Sequence, residues 1–167
     1  MRSSAASDVY KRQASKAGVY GMIGGQVIDV KETGNAVSRE VLDTIYELKT
    51  SALIEASMMI GAILGGASEE EVKIVERIAK NVGIAFQIQD DILDVTSTTD
   101  ELGKPVHSDE KNEKSTYPVL HGMEESRKKV AEYTDAGIAA LDGITAADEE
   151  HKSFLRELLM SLVEREK

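Results

Sequence analysis

One apolar segment of the 167-residue chain carries three carboxylates within five positions and reads Phe86-Gln87-Ile88-Gln89-Asp90-Asp91-Ile92-Leu93-Asp94. Residues four apart share one face of a helix, so Asp90 and Asp94 point the same way. Gln87 lies three residues before Asp90 and joins that face, whereas Asp91 points about 100° away. The apolar neighbours indicate that the helix is mostly buried, which makes this concentration of charge unusual.

Two carboxylates on one buried face repel each other, and leaving them unpaired is costly. A hard cation removes both problems, and carboxylates together with waters suit Mg²⁺. The helix dipole adds to the argument because its negative end disfavours carboxylates in the last turns. The motif alone also allows a solvated acidic patch on an exposed helix, but the apolar flanks favour a metal site.

The composition excludes several classes of function. Thirty acidic and 20 basic residues give a formal net charge of −10, which argues against general nucleic-acid binding because that needs a basic surface. The lack of cysteine excludes disulfides, thiol catalysis and zinc–thiolate sites, and it is compatible with the cytoplasmic location that we predict. No run reaches the ~18 apolar residues of a membrane span.

The residue pattern predicts a single all-α domain with a hydrophobic core. Hydrophobic residues make up 41% of the chain, aromatic residues are few, and both prolines fall in one region. Ser38 is typical of a helix N-cap, and Gly65-Gly66 is typical of a helix end. Ser68 and Glu71 have the spacing of a capping box. Helices are therefore predicted over residues 38–64, 68–95, 123–142 and 148–166.

The N-terminal part of the chain falls into two pieces. Residues 1–13 are polar and lack a sustained apolar stripe, so we interpret them as a disordered or appended leader. Residues 14–30 are rich in glycine, which predicts a helix packed close to a neighbour or approached by a ligand. Gln26 and Asp29 share one face of that helix, and Gly34-Asn35 marks the turn after it.

Lysines in three places accompany the acidic segment. Lys49-Thr50 interrupts the apolar stripe of the helix predicted over 38–64. Gly103-Lys104-Pro105 and Lys114 lie in the loop that follows the acidic helix, from which they can swing over its end. Taken singly, each lysine is more simply interpreted as part of a solvated edge.

Taken together, the segments resemble one family, the trans-isoprenyl diphosphate synthases of the polyprenyl synthetase family. The order and spacing of the motifs fit along residues 14–142, and each further motif in register makes chance less credible. On this basis residues 14–167 are the C-terminal part of a polyprenyl synthetase domain. The matching residues are Gly21-Met22, Gly25-Gln26, Asp29, Lys49-Thr50, Phe86 to Asp94, Gly103-Lys104, and Asp109 through Lys114-Ser115-Thr116-Tyr117-Pro118.

The resemblance implies an all-α bundle with a deep central cavity, in which an allylic diphosphate condenses head-to-tail with isopentenyl diphosphate. It implies that Asp90 and Asp94 help to hold Mg²⁺, with Asp91 in the same motif. Thr50 and Gln87 would lie beside the allylic cation and stabilise it with their oxygen dipoles. The lysines that would grip the diphosphate are Lys49, Lys104 and Lys114.

The chain also departs from the family pattern. The family carries two aspartate-rich motifs that face each other, and only the second is present here, so we expect a C-terminal half with exposed apolar surface. His107 stands where many relatives have glycine. The resemblance favours a farnesyl diphosphate synthase, which in full-length form is a homodimer. The alternative is a non-catalytic or regulatory subunit or fragment that completes a partner's bundle. A missing N-terminal half is a candidate partner.

Overall fold

The computed structural model describes residues 2–97, 114–145 and 147–163, and this part of the chain contains helices and no strand. The all-α prediction is therefore confirmed. Residues 98–113, which include Lys104 and His107, lie outside the described part. The α-helices are α1 (Arg2–Ala17), α2 (Met22–Glu32), α3 (Arg39–Ile45), α4 (Ala52–Leu64), α5 (Glu69–Thr96), α6 (Tyr117–His121), α7 (Met123–Ala139) and α8 (Glu149–Val163).

The helix predicted over residues 38–64 forms, but its middle is not α-helical. Ser38 caps its start, since the Ser38 hydroxyl accepts a hydrogen bond from the backbone N–H of Val41 at 3.4 Å. Tyr46–Ser51 between α3 and α4 is a π-helical segment, in which the N–H of Ala52 bonds the carbonyl of Glu47 five residues earlier. Such segments are rare and occur frequently at functional sites. The regular apolar spacing of the sequence did not predict this π-helical segment.

Helix α5 is the centre of the fold. The predicted capping box is present, with Ser68 and Glu71 exchanging side-chain to backbone hydrogen bonds. Helices α4 and α7 and the π segment pack around α5. Its side chains Ile78, Val82 and Ile88 are completely buried, and burial of each such side chain contributes about 1.5–3 kcal/mol. The acidic segment is thus carried on the most firmly held helix of the bundle.

Two glycines let neighbouring helices press against the π segment. A methyl group added to Gly25 of α2 would lie 2.8 Å from the Leu48 carbonyl carbon, and the Lys49 backbone nitrogen is closer still. A methyl group on Gly83 of α5 would lie 2.8 Å from the Ser51 Cα. The tight contact predicted from the glycine-rich segment is therefore confirmed, and it holds the residues around Lys49 from both sides.

The segment interpreted as a leader, residues 1–13, is mostly helical in the structure. Helix α1 runs from Arg2 to Ala17, so the boundary predicted after residue 13 falls inside one helix. Near the end of α1, Lys16 forms ion pairs with Glu55 of α4 and, at 2.7 Å, with Glu76 of α5. Burial opposes the charge of Lys16, but the two carboxylates outweigh it and raise the Lys16 pKa.

The loop predicted after the acidic helix is partly helical, since its end forms α6. Pro118 is tolerated there because it stands in the first turn of α6, where its missing N–H costs nothing. A 3₁₀ turn over Ala140–Gly143 ends the helix predicted over 123–142. Among the described residues, no helix combines the length and apolar character needed to cross a bilayer.

Helix α2 leaves an apolar surface exposed to solvent. Residues at helical spacing form this surface together with the turn before α2. Its members are Val19, Tyr20, Ile23, Val27 and Val30, which are between 48% and 90% exposed. A contiguous apolar face of this kind marks an interaction surface more often than a free one.

Candidate functional site

A cavity of about 210 Å³ lies between α2, the π segment, α5 and the residues that precede α6. Most of the predicted site residues meet in its wall, although they come from distant parts of the chain. They are Lys49, Thr50, Gln87, Asp90, Asp91 and Lys114. The predicted ligand Lys104 lies outside the described residues, so its place in the site stays a prediction.

Two lysines converge on one carboxylate at the edge of the cavity. The ammonium group of Lys49 lies 2.6 Å from Asp29 Oδ2, and that of Lys114 lies 3.0 Å from the same oxygen. Burial alone would raise the pKa of Asp29, but the hydrogen bonds and charges of Lys49 and Lys114 together outweigh it and lower that pKa. The cluster carries a net positive charge, which suits an anion with several oxygens.

A chain of hydrogen bonds lines the cavity beside the lysines. The Thr50 hydroxyl donates to Gln87 Oε1 at 2.7 Å. The Gln87 amide nitrogen in turn donates to Asp91 Oδ1 at 3.3 Å. The bulge of the π segment and the turn of α5 thus bring two neutral oxygen-bearing groups together in the cavity wall.

Asp91 is a buried acceptor that joins three elements. Only 4% of its surface is exposed. Its Oδ2 accepts hydrogen bonds from the hydroxyl of Tyr46, in the π segment, and from the backbone N–H of Tyr117 at 2.9 Å. The same N–H also lies 3.1 Å from the Tyr46 hydroxyl oxygen. A metal role for Asp91 stays a prediction, and the described contacts give it a structural function.

Asp90 and Asp94 occupy different positions although they share a helix face. Asp90 is partly exposed and lines the cavity, whereas Asp94 is 5% exposed and does not reach the lining formed by the described residues. Among the described residues, no three acidic or histidine side chains are arranged so that they could hold a metal ion by themselves. This donor set fits Mg²⁺, which keeps several waters and binds proteins through one or two carboxylates together with substrate phosphates.

The sequence of the chain matches a known protein family. A sequence model of the polyprenyl synthetase family matches residues 7–156. The chain belongs to the polyprenyl synthetase family. The match begins inside the segment interpreted as a leader and extends into α8, so it includes every element that lines the cavity.

Individual relatives of this polyprenyl synthetase chain carry more specific names. The chain is 45% identical over 131 residues to the chloroplastic geranylgeranyl pyrophosphate synthase of Capsicum annuum, covering 78% of this chain and 36% of that protein. It is 42% identical over 123 residues to the farnesyl diphosphate synthase of Escherichia coli strain K12, covering 73% of this chain and 41% of that protein. The chain therefore spans less than half the length of either relative.

A solved structure confirms the fold of the polyprenyl synthetase chain. The geranyltransferase of Helicobacter pylori, crystallised with magnesium and isoprenyl diphosphate, superposes with a TM-score of 0.85 at 29% sequence identity. The superposition covers 99% of this chain and 54% of that chain. The helical bundle expected from the sequence is therefore that of a solved prenyl-transferring protein.

Three residues of the polyprenyl synthetase site have contacts that sequence reasoning missed. Asp29 was placed on a face with Gln26, yet its partners are two lysines, and Gln26 is exposed. Tyr46 and Tyr117 meet at Asp91, with ring centroids 6.3 Å apart. Tyr46 stands among apolar residues, and its hydroxyl was the one signal that a polar partner lies in that part of the core.

Proposed function

We propose that this polyprenyl synthetase chain contributes the second-motif side of a prenyltransferase site that condenses an allylic diphosphate with isopentenyl diphosphate. The observation that supports the proposal is the convergence of Lys49, Lys114 and Asp90 on a cavity whose wall also presents Thr50 and Gln87. Cationic groups, a carboxylate and neutral oxygen dipoles are the set that an ionising diphosphate ester needs.

The charge cluster would bind the diphosphate and assist its departure. The bond between the allylic carbon and the diphosphate oxygen breaks, and the electron pair leaves with the oxygen. Lys49 and Lys114, which the structure holds on Asp29, lie where they can meet the negative charge that gathers on the leaving group. Asp90, which lines the cavity, would hold Mg²⁺, and the ion would supply a Lewis acid for the same oxygens. A share of Asp94 in holding the ion stays a prediction.

The oxygens of Thr50 and Gln87 would stabilise the allylic cation that remains. The double bond of isopentenyl diphosphate then supplies the electron pair for the new carbon–carbon bond, which moves the positive charge to the other alkene carbon. Loss of a proton from the adjacent carbon to the released diphosphate would form the double bond of the product. Leu42 and Ile45 add apolar walls to the cavity, and exclusion of water protects a reactive cation.

The proposed product is farnesyl diphosphate, made in isoprenoid biosynthesis. Names of relatives favour both farnesyl and geranylgeranyl products, so the length of the labelled product decides this point. The homodimer implied by the resemblance and the predicted cytoplasmic location remain predictions.

The test is incorporation of labelled isopentenyl diphosphate into an allylic diphosphate by the purified 167-residue chain, with Mg²⁺ and with EDTA. We expect product only with Mg²⁺, and a Lys49→Ala variant should bind inorganic diphosphate at least tenfold more weakly in calorimetry. The matched control is Lys73→Ala, since Lys73 is 57% exposed on α5 and pairs with Glu70. Diphosphate binding that Lys49→Ala and Lys73→Ala weaken equally would refute the proposed site.

One observation favours a second candidate, a subunit that completes the bundle of a partner. The exposed apolar surface of α2, which includes Ile23, Val27 and Val30, is suited to packing against further helices. Lysine-dependent binding of diphosphate without any turnover by the isolated chain would support the subunit. Turnover by the isolated chain would refute it.

A further inference from the structure

We propose that Asp91 is a positioning residue that fixes which end of the Gln87 amide faces the cavity. By accepting the Gln87 amide nitrogen, Asp91 turns the carbonyl oxygen toward Thr50 and toward the place where the allylic cation forms. The inference deepens the proposed function and rests on it for its catalytic consequence, whereas the orientation of the amide is a property of the chain itself.

The argument begins with the unlike ends of the amide. The NH₂ end of a glutamine only donates hydrogen bonds, and an ionised carboxylate only accepts them. Asp91 Oδ1 lies 3.3 Å from Gln87 Nε2, and the Thr50 hydroxyl lies 2.7 Å from Gln87 Oε1. A hydroxyl can donate or accept, so Thr50 is satisfied by either orientation. Of these two partners, only Asp91 distinguishes one end of the amide from the other.

Asp91 is itself held in place by two buried groups that donate to its other oxygen. The backbone N–H of Tyr117 can only donate, and it reaches Asp91 Oδ2 at 2.9 Å. The Tyr46 hydroxyl donates to the same oxygen. Asp91 is 4% exposed and these donors are buried with it, so displacing the carboxylate would break two buried hydrogen bonds at Oδ2. The carboxylate is therefore a rigid reference for Gln87.

The orientation of the amide has a consequence for catalysis. A carbonyl oxygen beside an allylic cation stabilises the developing positive charge, whereas an NH₂ group in the same place opposes it. Removal of one preorganised dipole of this kind costs about 10²–10³ in kcat in other enzymes. Reversal of the amide should cost at least ~100-fold in kcat. The KM for the allylic diphosphate should stay within a factor of about three, because the lysines still bind the diphosphate.

An Asp91→Asn substitution tests the inference because it changes one atom. The Tyr117 N–H and the Tyr46 hydroxyl both donate to Oδ2, so the new carbonyl oxygen keeps more hydrogen bonds in that place, and the new NH₂ takes the place of Oδ1. Two NH₂ groups would then face each other, and the Gln87 amide should turn over. The Asp91→Asn/Gln87→Glu double variant restores an oxygen toward both partners while it keeps the net charge. We expect the double variant to recover kcat to within about tenfold of the original.

The orientation can be measured without turnover. In the labelled 167-residue chain, nuclear Overhauser contacts between the Gln87 amide protons and the Thr50 methyl group should be weak, and they should become strong in Asp91→Asn. The control is Asp135→Asn, an exposed aspartate of α7, which should change neither this contact nor kcat.

Each result leads to a separate conclusion. Strong contacts to Thr50 in the original chain would overturn the inference even if Asp91→Asn fails to fold. A turned amide with unchanged kcat in an active chain would also overturn it, as would a double variant no more active than Asp91→Asn. Diphosphate binding that Lys49→Ala and Lys73→Ala weaken equally would sink the proposed function, while the nuclear Overhauser contacts would still decide the orientation.

Discussion

A Gly25→Ala substitution should destabilise the fold and disturb the lysine cluster, although alanine is the better helix former. Gly25 is the fourth residue of α2 and faces the π segment. Its added methyl group would lie 2.8 Å from both the carbonyl carbon and the Cβ of Leu48. Carbon atoms in normal contact are about 3.5 Å apart. Helix α2 would therefore have to move by more than half an ångström, and Asp29 would move with it, away from Lys49.

Two effects of opposite sign determine how much Gly25→Ala changes the free energy of unfolding. Replacing glycine by alanine inside a helix gains about 0.5–1 kcal/mol, whereas overpacking a tight contact costs about 1–3 kcal/mol. The net loss should be about 1–2 kcal/mol, which corresponds to a melting temperature lower by about 2–8 °C for a chain of this size. The matched control is Gly61→Ala in α4, where the new methyl group meets no atom within 4 Å, so stability should rise by about 0.5–1 kcal/mol.

Urea unfolding followed by circular dichroism at 222 nm compares the three proteins, and calorimetry with inorganic diphosphate reports on the lysine cluster. We expect Gly25→Ala to unfold at lower urea and to bind diphosphate more weakly than the original chain. If Gly25→Ala and Gly61→Ala are stabilised equally, the close approach of α2 to the π segment is wrong.

Three further predictions concern other parts of the fold. The pKa of Asp29 is lower in the folded chain than in the unfolded chain, so ionised Asp29 stabilises the fold above the unfolded pKa of about 3.9. This contribution is lost as the pH falls through the lower folded pKa. Asp29→Asn should therefore flatten the acid limb of a stability–pH profile. Ser68→Ala should remove about 1 kcal/mol of stability by breaking the capping box, whereas Ser57→Ala on the exposed face of α4 should change urea unfolding by less than ~0.5 kcal/mol. Tyr46→Phe should cost about 1–3 kcal/mol in the same assay, since buried Asp91 loses a donor; an unchanged midpoint would contradict that role.

Local sequence rules were sufficient for the long apolar helices, but they missed α1, which was interpreted as a leader, and the irregular π segment. The capping box at Ser68 and the apolar periodicity after it define α5 because both depend on residues within one or two turns. The π segment was not predictable in this way. Its extra residue is accommodated by contacts with Gly25 and Gly83, which come from distant parts of the chain.

The candidate site was predictable to a similar degree. Helical spacing correctly separated Asp91 from Asp90, but it could not show that the separate face of Asp91 meets Tyr46 and the N–H of Tyr117. Nor could spacing reveal that Asp29 is the partner of the two lysines. Both arrangements depend on tertiary contacts between residues at least 20 positions apart in the sequence.

The π segment also gives the long helix two separate packing registers. Upstream of it, α3 packs on α2, while downstream α4 packs on α1 and α5. One residue corresponds to about 100° of rotation around a helix. Deleting one residue within 46–51 would therefore preserve a continuous helix yet turn α3 about its axis relative to α4. The extra residue of the π segment rotates α3 relative to α4 about the common helix axis. One continuous helix can therefore turn its apolar side toward two different neighbours, which a regular α-helix could not do.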